Sequence, residues 1–174
     1  MARNFAACLV LVLLPILTGC QTSHTLDAAS FDYSQELLPE VYVTVQGDVP
    51  EHYVRNLIRA KGVFSQVKAG KAFGEGYTLK IDARKSSDDL KNQSLIVLGA
   101  LTMFILPVPQ EQDSRLSFQL FKGEKLVKSY EYSNYSRYYV SLFHINSADI
   151  ERHENLGRIM SRFVSEIQSE GVMR

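Results

Sequence analysis

Leu116-Ser117-Phe118-Gln119-Leu120-Phe121 is followed, after Gly123-Glu124, by a second predicted strand from Leu126 to Tyr132. Apolar and polar residues alternate with a period of two in the first stretch, which is typical of a strand with one buried face. The Gly-Glu pair between them favours a hairpin turn. Tyr77 to Arg84 alternates in the same way and predicts a further strand.

Two amphipathic helices are predicted outside these strands. The first follows a strand at 41–45, begins near Asp48 and Pro50, and ends at Gly62. The second covers residues 147–170, where apolar residues recur at three- and four-residue spacings. They are Leu156, Ile159, Met160, Phe163, Val164 and Ile167. The order of elements predicts an α+β domain of two layers, a mostly antiparallel sheet packed by helices on one face.

The amino terminus has the three zones of a secretory signal. Arg3 supplies a positive charge, residues 5–17 form an apolar run, and the small residues Thr18 and Gly19 precede Cys20. The run is much shorter than the roughly 20 residues that a membrane-spanning helix needs. Leu17-Thr18-Gly19-Cys20 resembles the lipobox of bacterial lipoprotein precursors.

This resemblance implies cleavage between Gly19 and Cys20, a diacylglycerol on the Cys20 thiol, and acylation of the new amino group. Gln21, in the position after the cysteine, then implies sorting to the periplasmic face of the outer membrane. The partner would be membrane lipid, held through Cys20. The predicted organisation is a signal peptide at 1–19, the lipidated cysteine and a flexible tether at 20–40, and a single α+β domain at 41–174.

Composition excludes several classes of function. Losing Arg3 with the signal leaves 18 of the 19 basic residues against 19 acidic ones, and this balance gives no reason to expect a nucleic-acid partner. The only cysteines are Cys8, in the predicted signal, and Cys20, so the predicted domain has neither a free thiol nor a disulfide. Its stability must therefore come from its core.

No sequence motif for catalysis or metal binding is present. The four histidines lack metal-ligand spacing, and His153-Glu154 lacks the second histidine of a zinc-protease motif because Gly157 occupies that position. No Gly-x-Ser-x-Gly nucleophile elbow occurs. Neither a cofactor nor a metal is predicted. A pair of carboxylates assembled only in space, as in glycoside hydrolases, remains an alternative.

A dense run of tyrosines follows the predicted hairpin. It comprises Tyr130, Tyr132, Tyr135, Tyr138 and Tyr139. Without a matching basic stripe, the run favours a half-buried strand with aromatic pairs over a surface that stacks on sugars or bases.

Residues 95–106 are apolar on every side of a helix. Twelve residues span about 18 Å as a helix, too short for a bilayer core of about 30 Å. The favoured interpretation is a buried central element of the domain. The alternative is a surface that contacts lipid or a partner. Its candidate contact residues are Leu95, Leu98, Leu101, Phe104, Leu142 and Phe143.

A broader resemblance rests on hydrophobic pattern. Gly62-Val63-Phe64, then Val67, Tyr77-x-Leu79-x-Ile81 and an apolar stretch closing at Pro107 resemble uncharacterised Gram-negative envelope lipoproteins. The fold-level pattern is also similar to small periplasmic lipoprotein domains that assist envelope export machines. The predicted function is a non-enzymatic, membrane-anchored accessory or interaction domain with a possible envelope protein partner. The alternatives are a lipid- or acyl-chain-binding module that uses residues 95–106, and a hydrolase.

Overall fold

The fold is that of a computed structural model, which describes residues 22–30, 36–86, 89–105, 107–142 and 147–173. In chain order the elements are β1 (Ser23–His24), β2 (Val41–Gly47), α1 (Glu51–Ala60), β3 (Val67–Ala69), β4 (Tyr77–Ser86), α2 (Asp89–Leu101), β5 (Val108–Lys122), β6 (Lys125–Val140) and α3 (Ser147–Glu170).

In the part of the chain that the structure describes, six strands form one mixed sheet in the order β1-β6-β5-β4-β2-β3. The pairings β1–β6, β6–β5 and β5–β4 are antiparallel, whereas β4–β2 and β2–β3 are parallel. The predicted hairpin is confirmed as β5–β6, but its strands are 15 and 16 residues long and extend well beyond the stretches that alternate most clearly. The predicted two-layer α+β fold is confirmed.

The core lies between one face of the sheet and helices α1 and α3. All six apolar residues predicted on α3 are at most 2% exposed. Phe163 stacks on Phe118 of β5, with ring centroids 4.2 Å apart and ring planes 4° apart. Each buried side chain of this size contributes about 1.5–3 kcal/mol relative to exposure. The long helix is therefore held by its apolar stripe.

The opposite face of the sheet is polar. Lys80 pairs across strands with Gln119, and Asp82 pairs with Ser117. Because successive side chains on a strand point to opposite faces, the alternation that buries Leu79 and Ile81 also sends these polar residues outward.

Gly47 ends β2 against the backbone of β4. Its φ is +108°, and an added Cβ would lie 2.2 Å from the carbonyl oxygen of Ala83. The Asp48 N–H donates to that same carbonyl at 2.8 Å. This close approach turns the chain from β2 into α1 and requires glycine.

In the described parts of the predicted tether, residues 22–30 and 36–40, some residues belong to the fold. Ser23 and His24 pair with Arg137 and Ser136 of β6. Leu38 is 1% exposed and its N–H donates to the carbonyl of Val63 at 2.8 Å. Isolated apolar residues such as Leu38 carry no periodicity, so their burial is not visible in the sequence.

Helix α2 begins at Asp89, six residues before the predicted apolar segment, and ends at Leu101. Met103 and Phe104 follow with φ values of 52° and 54°, so the chain turns away before residue 106. The favoured interpretation of residues 95–106 as a buried central element is wrong, because most of the apolar side chains here are exposed. Within the described residues, no helix is both long enough and apolar enough to cross a membrane.

Candidate functional site

Helix α2, the turn after it and the end of β6 present a continuous group of exposed apolar side chains, which we call the apolar patch. Its members are Ile96, Val97, Leu98, Leu101, Met103, Ile105 and Leu142, each 44–78% exposed. Large exposed apolar patches on soluble domains usually mark contact surfaces. The patch is therefore the first candidate functional site.

Contacts of α2 and the turn after it with β5 and the end of β6 fix the patch at one end of the sheet. The Asn92 side-chain amide donates to the Glu111 carbonyl of β5 at 3.1 Å. Near the other end of α2, Gly99 packs against the side chains of Phe104 and Val108, and an added Cβ would lie 2.7 Å from each of them. The Leu142 N–H then donates to the Phe104 carbonyl at 2.8 Å. The patch thus lies where β5 begins and β6 ends.

The residues predicted as a contact surface divide into three groups. Leu98, Leu101 and Leu142 are exposed members of the patch, whereas Leu95 and Phe104 are half-buried. Phe143, and the predicted cleavage and lipidation residues Gly19 and Cys20, lie outside the described residues. The prediction missed four members of the patch. Ile96 and Val97 lie on α2, where a helix that is apolar on every side does not indicate which residues are exposed. Met103 and Ile105 are exposed by a turn that is formed by non-glycine residues with positive φ.

Strand β1 directs the chain toward the patch. Its antiparallel pairing moves from Ser136 to Arg137 of β6 as the chain is followed back from His24 to Ser23. The upstream direction therefore leads along β6 toward Val140 and Leu142. Cys20 precedes Ser23 by three residues, which span at most roughly 11 Å even when fully extended.

A cleft of about 560 Å³ lies beside the amino-terminal ends of α1 and α3. Its polar lining includes Asp48, His52, Tyr53, Arg84, Lys85, Gln112, Ser114, Asp149, Arg152 and His153. Each of its two acids already has a partner. Asp48 accepts the Lys85 N–H at 3.1 Å, and Asp149 lies 3.3 Å from Arg152.

Hydrogen bonds also connect the side chains of this cleft. The Tyr53 hydroxyl and His153 Nδ1 are 3.0 Å apart. Burial raises the pKa of the Tyr53 hydroxyl above its ordinary value, so the phenol is protonated at neutral pH. The Gln112 amide donates to Ser114 at 3.2 Å. These groups can hold a small polar ligand by hydrogen bonding.

A buried polar cluster lies under the first half of α3. Asn134 and Ser136 of β6 and Asn155 of α3 are fully buried. The Asn134 amide nitrogen donates to the Asn155 carbonyl oxygen, and the Asn155 amide nitrogen donates to Ser136 Oγ at 2.7 Å. Because these three groups satisfy one another, their burial is not heavily penalised.

His24 and two glutamates extend this cluster. His24 Nε2 lies 3.5 Å from Glu151 Oε1 and 3.5 Å from Glu154 Oε2. Burial raises the pKa of the Glu151 carboxyl, and the nearby His24 opposes that shift. The three ligand-type atoms lie within 4.8 Å of one another, a spacing that a metal ion could bridge.

The hydrogen bonds around His24 argue against a metal at its Nε2. Asn134 accepts the Leu26 N–H at 2.9 Å through its carbonyl oxygen, so its amide nitrogen is the group facing His24 Nδ1 at 3.4 Å. A donor in this position favours a lone pair on Nδ1 and places the imidazole hydrogen on Nε2, which lies 3.5 Å from each carboxylate without a hydrogen bond to either. A metal at Nε2 would require the opposite tautomer.

The tyrosine run lies on β6, as predicted for a half-buried strand, and its first members attach the end of α3. Tyr130 donates to Glu170 at 2.8 Å and Tyr132 donates to Glu166 at 2.6 Å. Burial and the adjacent carboxylates raise the pKa of both phenols, which therefore remain hydrogen-bond donors. Two of the five tyrosines thus have a structural role.

Comparison with known proteins gives a likeness of fold. No family model matches the chain, and no curated protein matches it in sequence. A minor lipoprotein from Acinetobacter baumannii is 8% identical, with 75% of this chain and 93% of that chain covered and a TM-score of 0.48. Protein XCC0632 from Xanthomonas campestris is 13% identical, with coverages of 82% and 92% and a TM-score of 0.49. The rare lipoprotein B from Shewanella oneidensis is 12% identical, with coverages of 75% and 92% and a TM-score of 0.38.

Proposed function

We propose that this chain is a lipid-anchored lipoprotein of the cell envelope, held at the periplasmic face of the outer membrane through acylated Cys20. Its domain is a non-enzymatic accessory or interaction domain with an envelope protein as partner. The observation that carries the proposal is Leu17-Thr18-Gly19-Cys20 at the end of a short apolar run, placed three residues before a strand of the folded sheet.

The geometry of β1 supports anchoring close to the membrane. A single acyl chain binds a membrane only marginally, whereas two or three chains hold a protein durably. Since Ser23 is already part of the sheet, a lipid on Cys20 would keep the edge of the domain within roughly 11 Å of the bilayer surface.

The exposed surfaces support an interaction role over catalysis. The polar face of the sheet and the cleft are both available to a partner, and the two acids of the cleft are already engaged by Lys85 and Arg152. These open polar surfaces favour the accessory domain over the hydrolase.

Lipid binding by the domain is a second candidate, and the apolar patch favours it. Acyl-chain carriers enclose their ligand in an apolar cavity. The patch instead projects outward, with Leu101 78% exposed and Met103 75% exposed. A membrane surface therefore fits it better than a single enclosed acyl chain.

Replacement of the predicted lipidated cysteine tests the anchor. Cys20→Ser should abolish incorporation of labelled palmitate and release the protein from the outer-membrane fraction. Cys8→Ser is the matched control, because it removes the other cysteine, within the predicted signal, and should leave labelling and location unchanged. Continued palmitate incorporation in Cys20→Ser would contradict the proposal.

A further inference from the structure

We infer that the apolar patch inserts into the same membrane leaflet that holds the acylated Cys20, so that the domain stands end-on with β5 and β6 pointing away from the membrane. This inference rests on the proposed lipid anchor and adds a second, non-covalent attachment. Its occupant is the lipid of the membrane surface.

The first support is the chemistry of the patch. No charged residue occurs between Lys91 and Glu111, a stretch that contains α2 from Asn92 onward and the turn after it. The exposed members are aliphatic side chains and one methionine. Protein interfaces concentrate their binding energy in Trp, Tyr and Arg, none of which is a member of the patch. An uncharged aliphatic surface fits hydrocarbon better than a specific protein partner.

The second support is the direction and reach of the chain. Followed upstream, β1 runs along β6 toward Leu142, which belongs to the patch. Cys20 lies within roughly 11 Å of Ser23. A lipid on Cys20 therefore enters the membrane at the same end of the sheet where the patch is exposed. Because β1 is hydrogen-bonded into the sheet, the short connection to Cys20 keeps this end of the domain near the membrane.

The third support is size. Helix α2 has 13 residues and is about 20 Å long at 1.5 Å per residue, too short to cross a bilayer core of about 30 Å, so it can enter one leaflet only. Interfacial segments bury their apolar face about 5–10 Å deep. The tip formed by Leu101, Met103 and Ile105 is the most exposed part of the patch and would enter deepest.

Depth-dependent fluorescence on the lipidated protein tests this arrangement. With Cys8 removed and Cys20 acylated, an introduced cysteine is the only free thiol and can carry an environment-sensitive dye. Leu101→Cys and Ile105→Cys report on the patch. The chain offers Phe73→Cys as the matched control, since Phe73 is 93% exposed.

Phe73 lies at the other end of the sheet. The neighbouring Gly76 carbonyl accepts the N–H of Gly123 in the β5–β6 turn. Phe121 follows Val108 by thirteen positions along β5, and this length of strand spans roughly 43 Å. The three labelled positions are all exposed, so none of the substitutions removes a core side chain.

The labelled proteins are reconstituted into vesicles of phosphatidylethanolamine and phosphatidylglycerol that contain lipids with nitroxides on their acyl chains. We expect blue-shifted emission and strong nitroxide quenching at Leu101→Cys and Ile105→Cys, with neither effect at Phe73→Cys. Adding Leu98→Asp to Ile105→Cys should abolish the quenching while near-ultraviolet circular dichroism stays unchanged.

Three outcomes overturn the inference in distinguishable ways. Unquenched dye at Leu101→Cys in a protein that carries palmitate refutes the patch insertion and leaves the lipid anchor standing. A blue shift without nitroxide quenching shows that a second copy or another protein covers the patch. If the chain with Cys20 intact incorporates no palmitate, the proposed function itself is refuted, together with the inference that rests on it.

Discussion

Replacing Phe163 by alanine is the sharpest test of the packing between α3 and the sheet. The ring is fully buried, stacks on Phe118 at 4.2 Å and meets Tyr130 edge-on with centroids 5.5 Å apart. Phe→Ala in a core costs about 3–5 kcal/mol, and aromatic pairs contribute about 0.5–1.5 kcal/mol beyond buried area. The Phe→Ala cost already includes the loss of such pairs, and two of them are lost here, so we expect a value in the upper half of that range, about 4–5 kcal/mol.

This loss should be visible in urea denaturation. For an m-value of about 2 kcal/mol per molar urea, the midpoint should fall by roughly 2 M. The chain has nine tyrosines and no tryptophan, so near-ultraviolet circular dichroism of tyrosine is the suitable probe.

Leu101→Ala is the matched control, because it also truncates an apolar residue of a helix but one that is 78% exposed. Its midpoint should shift by no more than the equivalent of about 0.5 kcal/mol. An unchanged midpoint for Phe163→Ala, or equal shifts for the two variants, would refute the assignment of α3 to the core and of α2 to the surface.

Two further predictions concern a buried carboxyl and a close backbone contact. Burial raises the pKa of the Glu151 carboxyl above its ordinary 4.5, so the folded state favours the protonated form. This contribution to the free energy of unfolding is present at low pH and is lost as the pH rises through the folded-state pKa. Glu151→Gln should remove that decline in urea midpoints measured between about pH 4 and 8, and an undiminished decline would contradict the cause assigned here. Gly47→Ala should lower the free energy of unfolding by at least about 3 kcal/mol, because the added Cβ would clash with the Ala83 carbonyl and because φ is positive at this position. Gly157→Ala is the control: its added Cβ would have no neighbour within 4 Å, so this change should be neutral or slightly stabilising. Equal thermal midpoints for the two glycine variants would disprove the Gly47 argument.

The parts of the fold that follow from local periodicity could be predicted. Helix α3 shows its buried apolar stripe from Leu156 to Ile167, and its bounds, Ser147–Glu170, agree with the predicted 147–170. The β5–β6 hairpin was visible from its turn and the alternating stretches beside it. Its outer half was not, because Gln110, Gln112 and Ser114 are buried polar residues that hide the alternation.

The candidate site could be predicted only as a choice between two alternatives. The apolar composition of residues 95–106 fits a buried element and an exposed contact surface equally well. Which of the two forms depends on how many other elements cover this segment, and the sequence does not show that number. Here α1 and α3 cover the sheet, which leaves α2 at the sheet end with one side on Val108. The pairing of Ser23 and His24 with β6 was invisible for a different reason, because two residues are too few to show a period.

The amide pair Asn134–Asn155 restricts the axial position of α3 on the sheet. An apolar helix stripe can slide by one turn, about 5.4 Å, and still find apolar neighbours. A slide of that size would carry Asn155 away from both Asn134 and Ser136 and leave three fully buried polar groups without partners. Each such orphan costs about 1–3 kcal/mol. Misregistered docking of the last helix is therefore penalised by these polar groups in addition to the stacked rings of Phe118 and Phe163, and the chain closes on a single alignment.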